Sequence, residues 1–208
     1  IDMSSGSQEG INIFNFNDVS NYVVTEGDSI MVRGTVGQFR GLTQFVPDSI
    51  MIISTGNTLP APVVVSDIDE TTESKWLSIP TSWVSLSTSG TGSSNVELTN
   101  GTDTITMRID SDTDINDSLV SQGAIIPGDT ICGLLGIGGQ FNSSTTSPFN
   151  DGYQIFPMRW SDLTICRFVP PVVVPYYPIG TINTEDATTG VADSLNVTCF
   201  TSGTVVGI

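Results

Sequence analysis

The chain has 208 residues, of which six are Lys or Arg and 22 are Asp or Glu, so its formal net charge is −16. Phosphate contacts need clustered cations, and the scattered Lys and Arg therefore disfavour a nucleic-acid surface. Histidine is absent, which excludes the usual catalytic triads and leaves the cysteines without partners for a zinc site. We predict a protein that is not an enzyme and has no transition-metal cofactor.

Ser, Thr, Asn, Gly and the β-branched residues Val and Ile dominate the composition. This is typical of short strands joined by polar turns, and we predict an all-β fold. No apolar run approaches the roughly 20 residues of a membrane helix, so we predict no membrane insertion. The length suits one large all-β domain with an appendage.

Strand patterns begin at residues 10–16 (GINIFNF), where Asn12, Phe14 and Phe16 alternate with Ile11 and Ile13. Four later segments share one design, in which an Asp-Ser or Asp-Thr turn leads into an apolar strand. They are residues 28–34, 48–53, 103–109 and 129–135. We predict that these segments belong to one domain over residues 1–168.

One short helix is predicted over residues 66–76 (SDIDETTESKW). Ser66 is a suitable N-cap, and the acidic residues that follow suit the positive end of a helix. Ile68, Thr72 and Trp76 are spaced four residues apart and form a narrow apolar stripe.

The C-terminal part changes character. Residues 169–182 contain VPPVVVPYYP and are predicted to form a Pro-rich linker. Residues 183–208 return to a strand pattern, and a lone strand is unstable in water. We therefore predict that it completes either the same sheet or that of a neighbouring copy. The predicted strand-exchange residues are Val197, Cys199, Thr204, Val205, Val206 and Ile208.

Three cysteines, Cys132, Cys166 and Cys199, lie far apart in the sequence. Three is an odd number, so one disulfide with a free thiol, an intermolecular bridge and three buried thiols all remain open.

Acidic residues cluster in DSDTDIND, where Asp110, Asp112 and Asp114 resemble the start of a calcium loop. The pattern then diverges, because Ile115 and Ser121 stand where such a loop has glycine and glutamate. A solvated turn is the alternative to a Ca²⁺ site.

Asp-Ser and Asp-Thr pairs followed by an apolar residue are similar to an O-glycosylation acceptor motif of some secreted bacterial proteins. Thr104, Ser118 and Ser194 are the candidate acceptors. The alternative is that turns leading into strands select the same residues.

Four segments carry a family resemblance: residues 26–50, 71–79, 102–114 and 133–163, the last of which contains GIGGQF. They resemble OB-fold-like domains that occur in tandem in large secreted bacterial surface proteins, and also the OB-fold domains that accompany some extracellular nucleases. The resemblance covers about residues 11–165.

This resemblance implies an OB-fold-like five-stranded barrel in an extracellular or cell-surface protein of a bacterium. In the family, a strand like residues 190–208 opens the domain. Here it stands at the C-terminus, so the first strand is displaced. The chain is then expected to be either a repeat in a different register or a subunit that receives its first strand from a neighbour. Members of this fold bind ligands through aromatic side chains. The candidates here are Phe39, Phe45, Phe141, Tyr153 and Phe156. The alternative is that these aromatic side chains belong to the hydrophobic core.

Two functions follow as hypotheses. In the first, the chain is a structural or adhesive repeat subunit that forms a fibre, a linear homopolymer, by donor-strand complementation. In the second, it is a ligand-binding module, for a glycan or a nucleic acid, that assists a secreted nuclease or hydrolase. The charge balance disfavours the nucleic acid.

Overall fold

The computed structural model describes residues 1–167 and 174–204, and the fold is all-β, as predicted, with short helices. The chain divides into two compact units, Ile1–Phe168 and Val169–Ile208, which are described separately.

The first unit contains two sheets. The smaller one, called the open sheet below, has the order β1-β3-β2 and consists of β1 (Asn12–Ile13), β2 (Ser29–Phe39) and β3 (Leu42–Ser54). β2 and β3 form an antiparallel hairpin, in which Phe39 pairs with Leu42. The two turn residues, Arg40 and Gly41, have φ of 55° and 99°, as a type I′ turn requires.

The larger sheet has eight strands. They are β4 (Val63–Val64), β5 (Trp76–Ile79), β6 (Trp83–Ser85), β7 (Ser94–Thr99), β8 (Thr104–Ile109), β9 (Thr130–Gln140), β10 (Tyr153–Phe156) and β11 (Leu163–Cys166). β9 lies at its centre and pairs antiparallel with β5, β6, β10 and β11. The pairings run from β9 through β6, β7, β8 and β10 and return to β9. The β8–β10 pairing is parallel.

The longest helix of the described chain is α1 (Asp114–Gln122), and it falls on the acidic run. Ile115 and Leu119 are buried one turn apart, and the carboxylate of Asp117 lies in the first turn, where the helix dipole favours negative charge. Residues 66–76 form only a 3-10 turn, Glu70–Thr72, which is capped by Asp69 and not by Ser66. The predicted longer helix is wrong because Trp76 enters β5.

The hydrophobic core is built by the larger sheet and α1, with Ile68 and Ile125 added from the loops between their elements. Its buried residues run from Ile68 to Leu163 and include the fully buried Leu77, Trp83 and Ile131. Among the described residues, none from the open sheet belongs to this core. The strands expected in one barrel are thus divided between a sheet with a core and a sheet without one.

Three of the four predicted Asp entries open a strand, since β2, β8 and β9 begin one residue after Asp28, Asp103 and Asp129. Asp48 is the exception, because it lies inside β3. It follows Pro47, which pairs with Gly34 at a bulge, a position that tolerates proline.

Between residues 174 and 204, the structure has a short helix, α2 (Ile179–Ile182), and no strand. Two isolated bridges, Tyr176–Phe200 and Glu185–Ala192, connect parts of this unit. A strand needs a partner over several residues, and the predicted strand finds none in residues 183–204. Val205, Val206 and Ile208 lie outside the described residues, as do positions 168–173 of the predicted linker and its border.

Within the described residues, no helix is long and apolar enough to cross a membrane.

Candidate functional site

The open sheet exposes apolar side chains on its two long strands. On β2, Met31 is 59% and Val36 64% exposed. Met31 pairs with Met51 of β3, which is also exposed, so the two side chains form one continuous patch. The other exposed apolar residues of these strands are Phe39, Val46, Ile52 and Ile53. Because successive side chains of a strand lie on opposite faces, as Ile52 and Ile53 do, both faces of the open sheet carry exposed apolar side chains.

The outer edge of the open sheet is β2. Within the described residues, β2 pairs with β3 alone, which leaves the other edge of an 11-residue strand open. Edge strands are commonly protected by lysine or proline, and β2 contains neither. Its one charged side chain, Arg33, forms an ion pair of 2.8 Å with Asp48 of the same hairpin. The edge therefore offers backbone hydrogen-bonding groups to another strand.

The hairpin turn is held against the end of β9. The backbone N–H of Asn142 donates to the carbonyl of Arg40 at 2.7 Å, and Arg40 Nη1 donates to the carbonyl of Ser143 at 2.8 Å. The Arg40 guanidinium lies 5.5 Å from the centre of the Phe141 ring, within cation–π range. Gly41 packs so closely that a Cβ there would lie 2.1 Å from Gln140 Oε1.

Further along β3, a glutamate connects the two sheets. The backbone N–H of Thr43 donates to Glu73 Oε1 at 2.9 Å, while Oε2 of Glu73 is buried without a partner among the described residues. Near the N-terminus, Gln8 accepts from the backbone N–H of Trp76 and donates to the carbonyl of Ala61. Hydrogen bonds, and not a shared apolar core, therefore position the open sheet.

Burial raises the pKa of Glu73 above its ordinary value, which predicts a pH-dependent cost to folding. As pH rises past the ordinary pKa, the unfolded chain ionises first, so the folded protein loses stability until Glu73 is ionised in both states. Glu73→Gln keeps an acceptor for Thr43 and removes this cost. Urea unfolding from pH 4 to 8 should show the variant gaining stability relative to the unmodified protein as pH rises. A difference that is constant or falls with pH would contradict this.

The strand-exchange residues that the structure describes lie in the second unit. Val197 is 50% exposed, Thr204 is exposed, and Cys199 is half-buried with a free thiol. Their neighbours Leu195 and Phe200 are also exposed. This segment carries apolar side chains that its own unit does not bury.

The three candidate glycosylation residues differ in exposure. Thr104 is exposed at the start of β8, whereas Ser118 in α1 and Ser194 are half-buried. Thr104 is the most accessible acceptor, and its modification stays a prediction.

The acidic run does not come together around an ion. The carboxylate of Asp110 accepts from the backbone N–H of Asp112 at 3.1 Å, and that of Asp114 accepts from the N–H of Trp160 at 2.7 Å. Across residues 1–167 and 174–204, no group of three or more Asp, Glu or Cys residues is placed to hold a metal.

Cys132 and Cys166 form a disulfide, which decides between the alternatives that the sequence left open. It links β9 to β11, where Thr130 pairs with Cys166. Beside it, Arg167 Nη1 contacts the buried carboxylate of Asp129 at 3.0 Å. The end of β11 is therefore fixed to β9 by a covalent bond and an ion pair.

Three of the predicted ligand-binding aromatics, Phe39, Phe141 and Phe156, line one cleft between the two sheets. Phe45 and Tyr153 do not line it. The hydroxyl of Tyr153 donates to Glu70 at 2.9 Å, and burial, together with this hydrogen bond, raises the pKa of Tyr153 to about 12.

Phe14 and Phe16 also line the cleft, although the sequence reasoning did not select them as ligand-binding residues. The signal in the sequence was that Asn12, Phe14 and Phe16 alternate with Ile11 and Ile13, which places the three side chains on one face.

Comparison with protein-family models, curated proteins and solved structures finds no match to this chain.

Proposed function

We propose that this chain is an extracellular structural subunit that assembles into a linear homopolymer, with a C-terminal segment of one copy adding a strand to the open sheet of the next. The observation that carries the proposal is a sheet with exposed apolar side chains, an unpaired edge at β2 and no residue in the core. Strand addition would pair that edge and cover Met31 and Val36.

The second unit supplies a suitable donor. Its segment from Leu195 to Phe200 exposes apolar side chains and forms no strand. Within the described residues, this segment has one isolated bridge, Tyr176–Phe200, and no strand partner. It is complementary to the unpaired edge of β2, and main-chain hydrogen bonds would carry the assembly. Because the donor and acceptor surfaces differ, the contact is heterologous and gives an open chain of subunits unless the rotation closes a ring.

The order of the strand pairings supports an OB-fold-like barrel in the larger sheet. Five strands, β6 to β10, have α1 between β8 and β9 and a parallel β8–β10 contact, an arrangement that we would expect of that partly open five-stranded fold. On this interpretation β6 takes the position of the first strand of the barrel in the larger sheet. The displaced C-terminal strand would then join the open sheet.

An extracellular location is part of the proposal. The Cys132–Cys166 disulfide supports it, because such bonds persist in oxidising compartments.

Cross-linking through Cys199 tests the proposal. In Met31→Cys, a strand added beside β2 in the register that sets Cys199 opposite this position would bring the two thiols within disulfide reach. Mild oxidation of the full chain should then give a ladder of covalent multimers on a non-reducing gel. Adding Cys199→Ser should remove the ladder, and Val120→Cys, at an exposed position of α1, should give none. A cross-link within single chains would instead show that the C-terminal strand pairs with the open sheet of its own chain, and it would contradict the proposed homopolymer.

A further inference from the structure

The cleft between the two sheets has a volume of about 750 Å³, within the range of small-molecule sites. One wall is the face of β3 that carries Leu42, Gln44 and Val46, and the facing wall includes Gln154 and Phe156 of β10. In both strands these residues alternate, so a single sheet face supplies each set.

Aromatic rings are the main apolar element of the cleft. They are Phe14, Phe16, Phe39, Phe141 and Phe156. Phe14 and Phe16 stack edge to face at 4.9 Å between ring centres, and Phe39 and Phe141 do so at 6.0 Å. Phe16 is 93% exposed, a position that a bound ligand would cover.

Carboxamides supply most of the polar lining. They are Asn12, Asn15, Gln44, Asn95, Gln140 and Gln154. A carboxamide both donates and accepts hydrogen bonds, as a hydroxyl does.

Two of these carboxamides are buried and have unused hydrogen-bonding capacity. Gln140 is 2% exposed, and its Nε2 donates to the carbonyls of Phe149 and Asp151, but Oε1 has no partner among the described residues. Gln154 is 5% exposed and lines the cleft, and no hydrogen bond of its amide to the described residues is present. Its amide is not among the buried unpaired atoms, so it is open to a molecule in the cleft and can donate and accept there.

The charge of the lining restricts that partner. Arg108 and Asp110 are its charged residues and cancel formally, and Arg108 Nη1 also donates to Asn95 at 3.1 Å. A polyanion needs several cations, which this cleft lacks. Flat aromatic faces suit the C–H surface of a sugar ring, and carboxamides suit its hydroxyls.

We infer that this cleft binds a neutral carbohydrate, an oligosaccharide whose sugar rings pack on the phenylalanines while its hydroxyls pair with Gln154 and the other carboxamides of the lining. From β2 the cleft takes Phe39, at the end next to the hairpin turn. Strand addition would use the backbone edge of the rest of β2, so the two proposals can be tested separately.

Isothermal titration of the full chain with cellohexaose, maltohexaose, xylohexaose and mannohexaose tests the inference, with heparin and single-stranded DNA as charged probes. At least one neutral hexasaccharide should bind, and the charged probes should not. Phe14→Ala combined with Phe16→Ala should weaken binding by ~10-fold. The control Leu86→Ala, an exposed apolar residue outside the cleft, should bind as the unmodified protein does.

Gln154→Met separates binding from folding. Replacing an unpaired amide with an apolar side chain of similar shape is neutral or stabilising, so the melting temperature should stay equal or rise. Affinity for the hexasaccharide should nevertheless fall roughly 3- to 10-fold. Failure of all four sugars to bind, binding of the charged probes alone, or affinity unchanged in both variants would overturn the inference.

Discussion

Met31→Lys combined with Val36→Lys is expected to abolish assembly and leave a folded monomer. Both side chains are more than half exposed on β2, so lysine there disturbs no core contact. An added strand would have to place its apolar side chains beside two ammonium groups, and lysine on an edge strand opposes such pairing. Analytical ultracentrifugation over a dilution series should show a concentration-dependent distribution for the unmodified protein and one monomeric species for the variant.

The matched control for this variant is Leu86→Lys combined with Val120→Lys. It makes the same change to the net charge of −16, at two exposed apolar residues that lie outside the open sheet. The control should assemble like the unmodified protein. If both variants lose assembly equally, the effect is due to net charge. If both assemble equally, the β2 edge is not the surface through which the subunits bind.

Removal of the disulfide is expected to have the largest effect on stability. Cys132 and Cys166 are 34 residues apart, and closing a loop of that length restricts the unfolded chain by about 3–4 kcal/mol. Cys132→Ser combined with Cys166→Ser should lower the free energy of unfolding by about that amount. For a chain of this size the corresponding fall in Tm is roughly 6–16 °C.

Tryptophan fluorescence during urea unfolding measures this loss, because Trp83 is fully buried and pairs with Ile131, next to Cys132. Cys199→Ser is the control, since it removes a thiol outside the first unit. A double-serine variant no less stable than this control would show that the ion pair and the β9–β11 hydrogen bonds hold β11 without the disulfide.

The strand addition and the cleft use different parts of the open sheet. Assembly would pair the backbone edge of β2, whereas the cleft uses the face of β3 next to the hairpin turn. The contacts of Arg40 and Gly41 with the end of β9 hold that face against the larger sheet. A polymer of such subunits would present one carbohydrate site for each copy.

Local patterns in the sequence determined the all-β class and the entries of β2, β8 and β9. The reason is that Asp-Ser and Asp-Thr turns and alternating apolar residues act within a few positions. Net charge and the absence of histidine, which require no structure, likewise limited the classes of ligand and chemistry.

The tertiary structure decided which sheet each strand joins, because β2 and β8 have the same local pattern and only their partners differ. It also decided which of two segments with apolar residues four positions apart forms a helix. Trp76 pairs with β9 in a strand, whereas Ile115 and Leu119 are buried in the core from α1. Three cysteines permit three pairings, and the register of β9 with β11 selects one.

The cleft depends on residues up to 144 positions apart, Asn12 to Phe156, which only the folded chain brings together.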